Sequence, residues 1–312
     1  MSRRLHAFAT GSFCNPDVQP QTMSSAHTPS LPAPLISAAE LASRLSGVLL
    51  FDARFELSQP LAGAAAYAEG HLPGAAYLDL DRHLSTKDSA AALCGGRHPL
   101  PTAPAFAHTL GQLGVTPAQA VVIYDTQGGM FAARAWWMLR WLGHREVAVL
   151  DGGLKAWQQA GGALESGVVP APAPVADYPL PADLAMPTID AATLQATLGR
   201  PVLIDARGAE RYRGDVEPLD PVAGHIPGAL NRPFTQNLGA DGRFLPADAL
   251  RAGFAPLLSG RPAAEVVHQC GSGVTACHNL LAMDVAGLAG SQLYPGSWSE
   301  WCSDPARPVA RG

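Results

Sequence analysis

The chain is written twice. Residues 47–54 read G-V-L-L-F-D-A-R and residues 201–207 read P-V-L-I-D-A-R, two apolar runs closing on the same tripeptide. The next words are G-H-L-P-G-A from Gly70 and G-H-I-P-G-A from Gly224, 154 positions apart. A third pair sets V-V-I-Y-D, ending at Asp125, against V-V-H-Q-C, ending at Cys270, and a fourth sets V-L-D-G-G-L-K-A-W, ending at Trp157, against L-Y-P-G-S-W-S-E-W, ending at Trp301. Words in register at this spacing have the period of a whole domain rather than of a solenoid repeat. Within each copy, short apolar runs alternate with helical stretches such as residues 132–142, the pattern of an α/β fold: a parallel sheet flanked by helices on both faces.

The domain plan follows. Residues 1–33 are rich in Ser, Thr, Pro and Gln and have no apolar signal core, so they read as a flexible tail, with Met23 an alternative start. Residues 34–166 form the first domain and residues 188–312 the second. Between them, residues 167–187 carry prolines at 170, 172, 174, 179, 181 and 187, an extended linker.

The two copies differ where chemistry is concentrated. In residues 265–280, E-V-V-H-Q-C-G-S-G-V-T-A-C-H-N-L, Val266 and Val267 predict a buried strand, and Cys270 falls where it ends, before a helix-compatible run to Met283. A turn of small residues opening a helix leaves backbone N–H groups facing its own concavity, and the helix dipole adds positive potential. That setting favours thiolate over thiol, so Cys270 is the candidate nucleophile and Gly271, Ser272, Gly273, Val274 and Thr275 its loop. The first copy has Asp125 at this place and no nucleophile. A Cys-x5-Arg phosphatase loop would need arginine where Ala276 stands. His268, Cys270, Cys277 and His278 match no paired metal-ligand spacing, so no metal is assigned. Cys277, two turns along the helix, reads as core, as do Trp136, Trp137 and Trp141.

Composition narrows the remaining classes. A formal net charge of −5 removes the electrostatic basis for nucleic-acid binding, and no run reaches the ~18 apolar residues that span a bilayer. Five cysteines do not form a disulfide framework in a chain of this size, which points to a reducing compartment, the cytoplasm.

The paired D-A-R, G-H-[LI]-P-G-A and G-G-L-x-x-W words, with C-G-S-G-V-T-A-C in the second copy alone, resemble a tandem-domain rhodanese-type sulfurtransferase, with two tandem rhodanese-like domains from about Leu35 onward and the second catalytic. The C-G-S-G-V-T loop is similar to that of the 3-mercaptopyruvate branch; the thiosulfate branch typically carries C-R-K-G-V-T. The resemblance implies sulfur transfer from 3-mercaptopyruvate through a Cys270 persulfide to a thiol or cyanide acceptor, a thioredoxin-like protein among them, with no cofactor. Thiosulfate:cyanide sulfur transfer and a persulfide carrier serving a protein partner are the alternatives. It also implies Arg211 as the group that holds the donor's charged end. A second arginine is expected after Glu217-Pro218, where this chain has Leu219, and Arg213 is the candidate replacement; the alternative for Arg213 is an ordinary solvated side chain. Ser272 would polarise the donor sulfur or relay a proton, or else cap the helix. His71 matches a first-domain histidine expected to complete a relay with that serine and an aspartate. Yet no aspartate stands between Leu57 and Gly70, and His225 occupies the same word in the second copy, which reads equally as a turn-stabilising histidine. The run Gly95-Gly96-Arg97-His98 has no assigned chemistry and is placed to close over the cleft from the first domain.

Overall fold

A computed structural model describes residues 31, 34–170 and 172–312. The flexible tail expected over residues 1–33 lies outside the described residues except for Leu31, whose N–H donates to the Glu146 carboxylate at 2.8 Å.

The first domain holds strands β1 (Leu35–Ile36), β2 (Val48–Asp52), β3 (Ala76–Tyr77), β4 (Ala120–Tyr124) and β5 (Val147–Leu150), with helices α1 (Ala38–Ala42), α2 (Ala62–Glu69), α3 (Ala103–Gln112), α4 (Ala132–Trp141) and α5 (Gly153–Gln159). The second holds β6 (Val202–Asp205), β7 (Leu230–Asn231), β8 (Val266–Gln269) and β9 (Gln292–Leu293), with α6 (Ala191–Ala196), α7 (Ala209–Arg213), α8 (Ala247–Leu258), α9 (Thr275–Val285) and α10 (Ser297–Trp301). The sheet orders are β1-β5-β4-β2-β3 and β7-β6-β8-β9, every pairing parallel. The second order repeats the first in its central strands, and Thr188 bridges Leu293 in parallel where β1 would lie. Buried parallel strands need apolar residues on both faces, which is why β4, A-V-V-I-Y, reads as an unbroken run rather than an alternation; β8, V-V-H-Q, is also buried throughout but carries two polar side chains at its end.

The repeated words are repeated hydrogen bonds. In the first copy Asp52 at the end of β2 binds Arg54 through both carboxylate oxygens, and Arg54 Nη2 donates to the Gly70 carbonyl at 2.7 Å. In the second, Asp205 binds Arg207, whose Nη2 donates to the Gly224 carbonyl at 2.7 Å. Each arginine thus ties a strand end to the following G-H turn with charge-assisted bonds. Trp157 and Trp301 likewise both donate Nε1–H to a later carbonyl, of Ala163 and Pro308, at 2.8 Å in each case.

The two domains meet through α4 and α9. Both helices are buried almost all round, Ala132–Leu139 in one and Ala276–Met283 in the other, as expected of helices enclosed on every side. Trp136, Trp137 and Trp141 are core, with Trp137 and Trp141 stacked at 5.9 Å. A tryptophan buries roughly 150–250 Å², and at about 25 cal/mol per Å² each contributes several kcal/mol of gross burial to the joint. Residues 167–187 contain no helix or strand among the described residues, and they run along the first domain: Val175, Tyr178 and Ala185 donate N–H bonds to Gly111, Ala107 and Trp141.

Candidate active site

Cys270 follows β8 and precedes α9, at the carboxyl end of the sheet where ligand loops gather in such folds. Its own N–H donates to Ser297 Oγ at 3.1 Å and its carbonyl accepts from Trp298 N–H, so α10 fixes the backbone. The turn is tight. Gly273 has φ +77°, and a Cβ there would lie 2.3 Å from the Pro295 carbonyl oxygen, so only glycine fits. The Gly273 carbonyl is turned away from the cavity, accepting from Arg134 Nη1 at 3.0 Å and from the Cys277 thiol at 3.3 Å. Among the described residues, none of the N–H groups of Gly271, Ser272, Gly273, Val274 and Thr275 donates to a protein acceptor.

The first domain shows what such a turn accommodates. At the matching position the Asp125 carboxylate accepts four backbone N–H bonds, from Gln127 at 2.9 Å, Gly129 at 2.8 Å, Phe131 at 2.9 Å and Ala132 at 3.0 Å. Burial pushes this carboxyl up, and the four donors oppose the shift. One copy carries a built-in acceptor for these donors. The other presents the same kind of turn with a thiol at its start.

Cys270 is 2% exposed, but it borders a cavity of about 150 Å³ between the domains. At ~30 Å³ per water molecule this is room for about five waters, the scale of a small organic acid. Gly271, Ser272, Val274 and Thr275 of the loop line it with Arg211, while Leu57, Arg97, His98, Met130 and Phe131 come from the first domain. A larger groove of about 720 Å³ lies elsewhere and includes Cys94, whose thiol burial pushes up to about 11, which disfavours it as a nucleophile.

Two of the expected site residues lie outside the cavity, and Ser272 meets a different histidine from the one expected. His71 does not line the cavity: its ring stacks on Tyr67 at 4.1 Å, Nδ1 donates to the Tyr67 carbonyl at 2.8 Å, and Nε2 lies 3.2 Å from Glu165. His225 does the same against Tyr212, with rings 3.9 Å apart and a 2.8 Å bond to the Tyr212 carbonyl, so the histidine of each G-H word holds its turn. Arg213 also lies outside the cavity, half-exposed and paired with Asp215 at 2.8 Å. Ser272 Oγ lies 2.7 Å from Nδ1 of His98, and His98 Nε2 lies 3.8 Å from Asp81. Burial first, then the positive charge of Arg97, Lys87 and Arg134, pushes His98 down to about 3, so the ring is neutral near pH 7. With Nε2–H facing the carboxylate, Nδ1 accepts from the Ser272 hydroxyl.

Sequence reading left Asp81 out and Arg97 and His98 without a role. A signal was present: G-R-H at residues 96–98 sits against G-R-F at residues 242–244, after the same strand in each copy. The structure makes the two loops reciprocal. Arg97 N–H donates to Ser299 Oγ of the second domain at 3.0 Å, and Phe244 N–H donates to Asp151 of the first at 2.8 Å. Phe244 stacks on His278, which donates to the Gly128 carbonyl of the first domain. His268 instead faces Met283 and Cys277 faces Gly273, so these side chains do not converge; no group of three or more metal-binding residues occurs among the described residues.

The Rhodanese-like domain family matches residues 37–160 and 190–304. The "Probable 3-mercaptopyruvate sulfurtransferase" of Pseudomonas aeruginosa is 52% identical over 90% of this chain and 99% of its own length. The "Putative thiosulfate sulfurtransferase SseB" of Mycobacterium tuberculosis is 45% identical over 89% and 97%. The solved 3-mercaptopyruvate sulfurtransferase from Leishmania major superposes with a TM-score of 0.76 at 30% identity, covering 87% of this chain and 74% of that one. The chain belongs to the rhodanese-like sulfurtransferases. Among the described residues, no helix is long and apolar enough to cross a membrane.

Proposed function

We propose that this sulfurtransferase takes a sulfur atom from 3-mercaptopyruvate and passes it to a thiophilic acceptor through a persulfide on Cys270. Cys270 thiolate attacks the donor sulfur; the S–S bond forms, and the C–S electron pair leaves as pyruvate enolate. The donor's thiol proton passes through Ser272 to His98 and is returned to the enolate carbon, giving pyruvate and a Cys270 persulfide anion. The unpaired N–H groups of Gly271 to Thr275 support the anion, and Arg211 holds the donor carboxylate. A thiol or cyanide then removes the outer sulfur, a thioredoxin-like protein being the macromolecular form of such an acceptor. Four free cysteines among the described residues fit a reducing compartment such as the cytoplasm.

The observation that carries this reading is the 2.7 Å contact between Ser272 and neutral His98 beside the thiol. A carbon-bound sulfur leaves behind a carbanion equivalent that needs a proton, whereas thiosulfate releases sulfite, a stable anion that needs none. Charge agrees. Arg97, Arg207 and Arg211 are balanced by Asp205, Glu217 and Asp220, which suits a donor with one charge better than a dianion. The test compares kcat/KM for the two donors and weighs the intact protein after exposure to each, with Cys270→Ser as control. A tenfold preference for thiosulfate, or sulfur gained by the serine variant, overturns the proposal.

A further inference from the structure

Each domain reaches across the joint into the other's turn. Gly273, three positions after Cys270, gives its carbonyl to Arg134 Nη1 of α4 at 3.0 Å; Gly128, three positions after Asp125, gives its carbonyl to His278 Nε2 of α9 at 2.9 Å. Both glycines are left-handed, at φ +77° and +69°. In the first copy the effect of this clasp can be followed to its end. The Gly128–Gly129 peptide turns its C=O outward to His278 and its N–H inward, where it donates to the Asp125 carboxylate at 2.8 Å. The C=O and N–H of a trans peptide point in opposite directions, so a group that fixes one aims the other. The Gly273–Val274 peptide is held in the same way. Its N–H, on Val274, has no protein acceptor among the described residues, and Val274 lines the Cys270 cavity.

The two clasps differ in charge. Burial pushes His278 down to about 4, so its ring is neutral near pH 7, whereas a guanidinium keeps its charge. Arg134 is fully buried and pairs with no carboxylate among the described residues: Nη2 donates to the Leu84 carbonyl at 3.3 Å and Nε has no acceptor. A buried charge without a counter-ion is costly, and a neutral ring makes the equivalent bond in the other turn. The cation stands behind the turn that lacks a built-in acceptor. From this we infer that Arg134, a first-domain residue outside the cavity, is a positioning residue for sulfur transfer: it holds the Gly273–Val274 peptide so that the Val274 N–H donates to the sulfur anion on Cys270. Its charge adds to the positive potential of the loop where that anion forms. The cradle for sulfur is thus completed by the docking of the two domains and not by the catalytic domain alone.

The inference rests on the proposed persulfide, and its test uses the full-length protein with whichever donor it turns over. Arg134→Met should lower kcat at least tenfold while KM for the donor stays within threefold, because a misaimed cradle donor acts on the reacting sulfur and not on donor binding. Arg134→Lys, which keeps the charge and a donor, should recover part of the loss. His278→Ala breaks the mirrored bond at the same joint and should leave kcat within twofold. Unchanged kcat in Arg134→Met, no recovery in Arg134→Lys, or equal losses in Arg134→Met and His278→Ala overturn the role of Arg134. A measurement on the unsubstituted protein stands even where Arg134→Met fails to fold: with valine nitrogens labelled, the Val274 amide proton should move downfield in the NMR spectrum when Cys270 is loaded with sulfur, and a signal that stays in place overturns the inference. Intact mass monitors the loading. A protein that turns over its donor without gaining sulfur refutes the persulfide reading, and the kcat comparison still decides the role of Arg134.

Discussion

The hydroxyl of Ser272, on the turn that opens α9 of the second domain, lies 2.7 Å from Nδ1 of His98, a side chain of the first domain 174 positions earlier. Neither domain alone contains the pair. Both groups are buried, at 6% and 4% exposure, so the contact forms only when the domains close on each other.

Removing either partner should therefore slow chemistry more than binding. Ser272→Ala and His98→Ala are each expected to lower kcat for 3-mercaptopyruvate by ~10²–10⁴-fold, the usual contribution of a positioned proton relay, and the double variant should lose little more than either alone. Steady-state kinetics of the three proteins check this; additive losses would mean that the two side chains act separately.

His71 should behave as a structural residue. His71→Ala removes the bond to the Tyr67 carbonyl and the stacked ring in a fully buried site, and is expected to cost about 1–3 kcal/mol of stability. Denaturant unfolding measures the loss, while kcat per folded molecule should stay within twofold.

Asp125→Ala probes the filled turn of the first domain. It strips three buried N–H groups and one part-buried N–H group of their acceptor, and each unsatisfied donor is costly, so a loss of several kcal/mol is expected despite the distance in sequence from Cys270. A melting temperature unchanged from that of the unsubstituted protein would contradict it.

Acidification should destabilise the fold through buried histidines. His98 and His268 are pushed down to about 3, and His278 to about 4, each chiefly by burial. An unfolded histidine titrates near ~6.5, so as pH falls below that value the unfolded chain binds protons that the folded chain refuses. Stability is full above about pH 6.5 and declines toward pH 4, by on the order of 1 kcal/mol per pH unit for each histidine involved. Urea unfolding midpoints between pH 7 and pH 4 test the sign.

The thiols should differ in reactivity. Burial pushes Cys277 up to about 12 and its thiol donates to the Gly273 carbonyl, so Cys277→Ser should retain sulfur loading and Cys270→Ser should lose it. Mass measurement after incubation with donor separates the two.

Much of this site is legible before any coordinates. The duplicated D-A-R and G-H words carry the Asp–Arg–carbonyl ties that repeat in both copies, and a thiol between an apolar run and a glycine pair marks the end of β8. Local words succeed there because the bonds they encode close within a strand and the next turn. His71 shows the converse: the repeated word alone leaves a relay histidine and a turn-stabilising histidine both open, and its partners, Tyr67 and Glu165, make it part of a turn.

By itself the sequence determined that there are two copies of one α/β unit and which copy carries a thiol at the turn after its central strand, since these depend on periodicity and on contacts short in sequence. Only the tertiary structure decided that Arg97 and His98 line the cavity beside the thiol, with Asp81 near the far nitrogen of His98. Their placement follows from the burial of α4 against α9, and that packing sets distances between residues whose local sequence holds no record of one another.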